Sequence, residues 1–376
     1  MKIVIDAHNI RAGGGLTHLS HILREASKYT QFESIHVYGG KQTFEFLEDI
    51  IKGIVTFKHE KFLDGNIIKR YFWMNNILPL RLKETNADVL FSPGGLLPMS
   101  IPKGIKVVTM NQNILPFIIS EAKQDGIKLF IRRQLQKYLQ LRSYKKAHGV
   151  IFLSEYARNI IGINTPDIIK KAIIIPHGVD IKFHKSIEKE VHVRDPEINL
   201  LYVSNIKSCK HQWNVVKAVS HLNQLGYNSL KLTLVGPADK KPLKRLYAAI
   251  DDNEMNDCVV WLGSIPYREI VKIYHSASIF VYASSCETFG QTVLEAMASR
   301  LPIACSNLGP MQEFAKDSAI YFNPSKPKEI AQAIKSIIDD PELSKRIATS
   351  AAELSKKYTW EECATQTFKY LKKEIY

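Results

Sequence analysis

Two glutamates eight positions apart, Glu287 and Glu295, flank Phe289-Gly290-Gln291-Thr292 in the run CETFGQTVLEAMASRLPIACSN. The residues before it, Ser278–Ala283, are apolar, β-branched and aromatic and predict a buried strand. Helix formers follow in Val293–Ala298, and Pro302–Cys305 predicts another buried strand. The unit is therefore strand-loop-helix-strand, with Gly290 near the helix start. Glu287 falls in the loop at the strand's carboxyl end. Glu295 falls about one turn into the helix, on a face that looks back at that loop. Ligands of open α/β sheets bind at this edge, where helix N-termini offer N–H groups to anions. Taken singly, either glutamate is better explained as a solvated surface residue.

A cation belongs to the same neighbourhood. In LYVSNIKSCKHQWNVVKAV, Lys210 stands just before a helix that begins near His211. A lysine there meets a diphosphate at a helix N-terminus, or is simply solvated. Because the strands ending at 204 and 283 share a sheet, the fold brings Lys210 and Glu287 over one cleft. Gly13-Gly14-Gly15 precede a helix over Leu16–Ser27. They admit a phosphate or sugar close to the backbone, or form an ordinary flexible loop. No G-x-G-x-x-G fingerprint and no Asp-x-Asp occur, so neither a dinucleotide nor a metal-diphosphate clamp of that type is indicated.

The elements that must position these residues alternate along the chain. Strands are expected at Lys2–Asp6, Ser34–Tyr38, Val89–Ser92, Lys106–Thr109 and Val150–Leu153. A second series follows at Asn199–Ser204, Lys231–Val235, Val259–Leu262, Ser278–Ala283 and Pro302–Cys305. Such alternation, made twice, is that of two parallel-sheet α/β domains. The turn-rich Pro176-His177-Gly178-Val179-Asp180 divides them, and the tail from Pro327 is helical.

At 376 residues and 45% hydrophobic content the chain has ample core. Its five cysteines (Cys209, Cys258, Cys286, Cys305, Cys363) are scattered and odd in number. That usage argues for a reducing compartment and against a zinc site or disulfide scaffold. No apolar run approaches a membrane span, and the charged start is no signal-peptide core, so a cytoplasmic location is expected. The net charge of +14 is uneven: residues 1–178 hold 25 basic against 14 acidic residues, and 179–376 hold 26 against 23. Much of the excess lies in KQDGIKLFIRRQLQKYLQLRSYKK, Lys123–Lys146, which reads as a basic amphipathic helix. IIKRYFWMNNILPLRLK, Ile67–Lys83, mixes basic and aromatic residues in the same way. Both are either partly buried surface helices or a face for anionic lipid or a phosphorylated acceptor. On that second reading Phe130 and Tyr138, or Phe72 and Trp73, add shallow insertion. No nucleic-acid-binding module accompanies the charge.

The ordered set of motifs resembles the large family of retaining GT-B glycosyltransferases marked by an E-x7-E motif, the glycosyltransferase family 4 type. CETFGQTVLEAMASRLPIACSNLGPMQEF is similar to the family signature, and FLSEYARNII…IIIPHGVDIKF to the segment leading into its interdomain linker. GGGLTHLSHIL resembles its glycine loop, VVTMNQNILPF a version found in bacterial enzymes of cell-surface polysaccharide synthesis, and YTWEECATQTFKYLKKEI its last helix.

The resemblance implies a GT-B α/β fold of two Rossmann-like domains facing across a cleft. Residues 1–178 would take the acceptor, 179–357 the nucleotide sugar, and part of 358–376 would cross back onto the first domain. It implies Glu287 and Lys210 as catalytic residues, with Glu287 on the donor sugar and Lys210 on the leaving diphosphate, without a metal or cofactor. Glu295 would bind the ribose, and the amides of Phe289, Gly290, Gln291 and Thr292 would face the diphosphate. Asn205 stands where the family usually has an arginine, leaving one fewer cation; Gly14 and Gly15 would lie on the donor side. Gln112-Asn113 replaces the family's His-Asp pair on the acceptor side. The implied partners are a nucleotide-diphosphate sugar, a glycan or polyprenyl-linked acceptor and an anionic membrane surface, with no nucleic acid. A nucleotide-sugar epimerase of the same fold and a non-catalytic two-domain sugar-binding protein are the alternative readings.

Overall fold

The computed structural model describes residues 1–11, 13–29, 31–123, 126–163, 165–184 and 197–373. They form two compact units. The first comprises Met1–Phe117, Ile127–Gly178 and Thr359–Tyr376, and the second Ile118–Gly126 and Val179–Tyr358. Ile118–Gly126 thus groups with the second unit and not with its sequence neighbours.

The first unit is built on seven parallel strands: β1 (Lys2–Asp6), β2 (Ser34–Gly39), β3 (Val55–His59), β4 (Val89–Ser92), β5 (Lys106–Met110), β6 (Gly149–Phe152) and β7 (Ala172–Ile174). Their order is β3-β2-β1-β4-β5-β6-β7. The inner strands β4 and β6 are buried along their whole length, as continuous apolar runs covered on both faces must be. Ile3 pairs with Ile35 on one side and Val89 on the other, which sets β1 inside the sheet. The helix Trp360–Lys373 packs on Gly14–Glu25 within this unit. Its Trp360 stacks on His21 at 4.4 Å, and the buried His18 stacks on His177 at 4.9 Å.

The second unit carries six parallel strands: β8 (Ile198–Val203), β9 (Leu230–Val235), β10 (Val259–Trp261), β11 (Ile279–Tyr282), β12 (Ile303–Ser306) and β13 (Ile320–Phe322). Their order is β10-β9-β8-β11-β12-β13. In each sheet the chain builds outward one way from its first strand, then returns to build the other way. The reversal lies between β1 and β4 in one unit and between β8 and β11 in the other. Loops diverge at such a point and leave a crevice at the carboxyl ends of the strands.

The strands that sequence reading misses, β3, β7 and β13, are all sheet edges. Of these, β3 lacks the continuous apolar run that marks an inner strand, whereas β7 and β13 are apolar runs of only three residues each. In β3 only Val55 is buried.

Both basic segments differ from a simple amphipathic helix. Ile67–Phe72 is α-helical, Trp73–Ile77 forms a π-turn, and Leu78–Glu84 resumes the α-helix. Trp73 is fully buried 6.1 Å from Tyr38, so its expected role in shallow insertion is withdrawn; Phe72 stays exposed beside Phe62. On the helix Ile127–Lys146 the buried residues are Gln140, Ser143 and Tyr144. Ile127, Ile131, Leu135 and Tyr138, spaced to share one face, are exposed.

Candidate active site

At the crevice of the second sheet, the loop after β8 carries Lys210 and the loop after β11 carries Glu287. Their side chains form an ion pair and are 13% and 14% exposed. Tyr282, the last residue of β11, donates to Glu287 Oε1 at 2.6 Å and lies 3.1 Å from Lys210 Nζ. Burial works against the ammonium, but Glu287, backed by Tyr282, Cys209 and Tyr202, outweighs it and holds the Lys210 pKa well above its ordinary value. The lysine is therefore a fixed cation at neutral pH.

Several contacts lock the two loops together. The Ser285 amide donates to the Cys209 carbonyl at 2.9 Å, and His211 Nε2 meets Ser285 Oγ at 2.8 Å. The Tyr202 hydroxyl donates to the Lys210 carbonyl. His211 takes the left-handed conformation at φ 48° and caps the helix Gln212–Gln224. Burial, then Arg245, pushes its pKa down to about 4, so it packs as a neutral ring. The Cys209 and Cys286 thiols share a hydrogen bond, which lowers the pKa of Cys209 and raises that of Cys286.

Gly290, at φ 101°, turns the chain into the helix Gln291–Ala298. A side chain is strained in that region of φ, and a Cβ there would lie 3.3 Å from Phe314. Phe289 is buried against Phe314 at 4.9 Å and anchors the turn, so any ligand contact from this residue comes through its backbone. One turn along, Glu295 is 5% exposed and accepts from the Tyr274 hydroxyl at 2.9 Å. Burial raises its pKa to about 7, against the opposing hydrogen bonds from Tyr274 and Gln291. The two glutamates thus differ: Glu287 is held by a fixed cation, whereas Glu295 sits near its titration point.

The first unit has its own crevice at the carboxyl ends of β1, β4 and β5, a cavity of about 410 Å³. Gly15, Gln112 and Asn113 line it. A Cβ on Gly15 would come 2.8 Å from Gln112 Oε1, so glycine there keeps the glutamine in place. His8 lines it too, with Nδ1 2.8 Å from both oxygens of the fully buried Asp6. The carboxylate fixes the ring tautomer, and Nε2 is the nitrogen left for the cavity. Gly14 is exposed, with open space around its α-carbon.

Residues 184–354 match the sequence model of the glycosyl transferases group 1 family, a span that takes in Lys210, Glu287 and Glu295. That span lies within the second unit, which is thus similar to the group 1 glycosyl transferases. Over 123 residues the chain is 31% identical to the O-antigen chain mannosyltransferase B of Escherichia coli, a match spanning about a third of either protein (32% of each). It is 24% identical to an uncharacterized glycosyltransferase of Methanocaldococcus jannaschii over 96% of this chain and 95% of that one. The crystal structure of Anabaena HepE in complex with UDP and glucose superposes with a TM-score of 0.75 at 16% identity, covering 99% of both chains. That likeness gives the fold: GT-B, with two Rossmann-like sheets and a C-terminal helix on the first helix of the chain.

Within the second unit the structure brings Lys210 and Glu287 together and sets Glu295 one helical turn beyond Gly290. Asn205, just past the end of β8, is exposed, and its carbonyl accepts from Gln212 at 3.2 Å. Sequence reasoning missed Tyr282 and Tyr274, which read as strand and helix core. It also missed the Asp6–His8 pair, although two chemically active residues at the end of the first strand were a usable signal.

Proposed function

We propose that the protein is a retaining, metal-independent hexosyltransferase that moves a sugar from a nucleotide-diphosphate sugar to a glycan or polyprenyl-linked acceptor in cell-surface polysaccharide synthesis. The observation that carries this reading is the Lys210–Glu287–Tyr282 cluster at the sheet reversal, beside a glycine-led helix start and a second glutamate. Glycosyl transfer builds positive charge on the sugar ring and negative charge on the departing diphosphate. Lys210 and the N–H groups opening the helix at Gln291 oppose the negative charge, and Glu287 accepts from sugar hydroxyls beside the reacting carbon. Glu295, as a carboxylate, accepts from the two ribose hydroxyls. Retention of anomeric configuration rests on the family resemblance. The O-antigen mannosyltransferase among the relatives supports a polysaccharide role, and the UDP and glucose held by HepE make UDP-hexoses the first donors to test.

The first unit receives the acceptor in this reading, with His8, Gln112 and Asn113 offering hydrogen bonds to its hydroxyls. The exposed stripe Ile127, Ile131, Leu135 and Tyr138, among lysines and arginines, fits shallow docking on an anionic membrane surface, the place of a lipid-linked acceptor at the cytoplasmic face. Among the described residues no helix is long and apolar enough to cross a membrane.

The deciding experiment screens nucleotide sugars for nucleotide release, with and without a polyprenyl-phosphate-linked glycan, and reads product configuration by NMR. Release stimulated by acceptor, with configuration retained, is expected. Conversion of the donor to its epimeric nucleotide sugar, without nucleotide release, would make the protein an epimerase. Donor binding without turnover on any acceptor would make it a binding protein.

A further inference from the structure

Two arginines line the cavity of the first unit, Arg70 from the helix Ile67–Phe72 and Arg132 from the helix Ile127–Lys146. No carboxylate lines it among the described residues. Two other arginines of this unit pair with carboxylates: Arg81 donates to Glu60 at 2.7 Å and to Glu84 at 2.9 Å, and Arg158 pairs with Glu155, while Arg11 donates to Gln42 and Arg142 to the Leu97 carbonyl. Arg70 and Arg132 have no acidic partner among the described residues, and the buried Arg70 Nε has no hydrogen-bond partner. They also repel one another. Burial, then the neighbouring charges of Arg11 and Arg132, lowers the Arg70 pKa. A chain that gathers like charges on the wall of a crevice, one with a buried donor unused, has a receptor for an anion.

We propose that this cavity is an oxyanion site in which Arg70 and Arg132 hold the phosphate of a phosphate-bearing acceptor. Two planar guanidiniums from different helices match the several acceptor oxygens of a phosphoryl group better than a single carboxylate, which one fork saturates. The remaining wall suits the rest of such a ligand. Gln140 Oε1 is buried without a partner and takes a hydroxyl, as does His8 Nε2, and Leu135, Leu139 and Ile67 supply apolar contact. That assignment rests on the acceptor reading of this unit.

The test uses the full chain with its nucleotide site saturated by UDP, and follows binding by calorimetry. Glucose 1-phosphate is titrated as a soluble phosphate ester, dihexanoylphosphatidylglycerol below its micelle concentration as a lipid headgroup, and glucuronate and methyl glucoside as carboxylate and neutral controls. Binding of either phosphate probe, weakened at least tenfold in Arg70→Gln/Arg132→Gln, is expected, and the tighter probe identifies the source. Arg132→Gln alone, at an exposed position that the fold does not need, is expected to weaken binding several-fold and to reduce its salt dependence. Binding that stays within twofold of wild type in the double variant overturns the proposal, as does equal binding of glucuronate or methyl glucoside. UDP binding is measured in the same variants. If UDP fails to bind while the arginine-dependent phosphate binding persists, the glycosyltransferase reading fails and this site stands. If UDP binds and phosphate does not, the reverse holds.

Discussion

Donor affinity is expected to depend on pH through Glu295. The carboxyl is buried, and burial raises its pKa to about 7 in the free protein. Only the ionised form accepts hydrogen bonds from two ribose hydroxyls on both oxygens. With a pKa of about 7, roughly a tenth of the protein is binding-competent at pH 6 and about nine-tenths at pH 8. Apparent affinity scales with that fraction, so binding should tighten about tenfold across the two units of pH. The sign follows from linkage: binding that favours the charged form releases a proton wherever the free carboxyl still holds one. Calorimetry with UDP-glucose measures this, since its fully esterified diphosphate does not titrate in the range, and buffers of different ionisation enthalpy count the proton. Glu295→Gln should bind more weakly and lose the dependence. An affinity that changes less than twofold between pH 6 and pH 8, or a dependence that survives in Glu295→Gln, would refute the reasoning.

Other outcomes follow from the same geometry. Lys210→Ala and Glu287→Ala should each lower kcat by about two to three orders of magnitude, the usual cost of a lost transition-state charge contact. Each leaves its buried partner unpaired, so the thermal midpoint is recorded alongside, and near-normal turnover in both would remove these residues from the chemistry. Activity should survive EDTA; full loss with recovery on Mg²⁺ or Mn²⁺ would replace Lys210 as the diphosphate's counter-charge. Burial, then His177 and His21, holds the His18 pKa well below its usual value. Its contribution to stability is present above about pH 6.5 and is lost as the pH falls below it. The protection of amides in the helix Gly14–Glu25, relative to their intrinsic exchange rates, should fall at pH 5.5, and less so in His18→Phe. Charge reversal at Lys128, Arg133 and Lys137 should release the protein from phosphatidylglycerol vesicles at low salt with UDP binding intact; equal binding of the wild type to phosphatidylcholine would end the membrane proposal.

The sequence by itself determined the class of fold and the meeting of Lys210 with Glu287. Inner parallel strands are covered on both faces, so Val89–Ser92 or Ile279–Tyr282 must be continuous apolar runs, and such runs are visible in a single chain. Lys210 and Glu287 were legible because each sits just past a strand end, and strand ends of one sheet converge. Edge strands β3, β7 and β13 were not legible: β3 carries no continuous apolar run, and β7 and β13 span only three residues each. Only the tertiary structure decided what depends on long-range neighbours. Trp73 is core and Phe72 surface although they are adjacent: successive helical residues point about 100° apart, and only packing decides which one faces inward. Tyr282 looks like any strand aromatic until Lys210, 72 residues earlier, arrives beside its hydroxyl. Arg70 and Arg132 lie on separate helices and share a cavity only because the sheet reverses direction between β1 and β4. Glu295 differs from Glu287 for the same reason: burial and charge are properties of the neighbours, and neighbours are made by the fold.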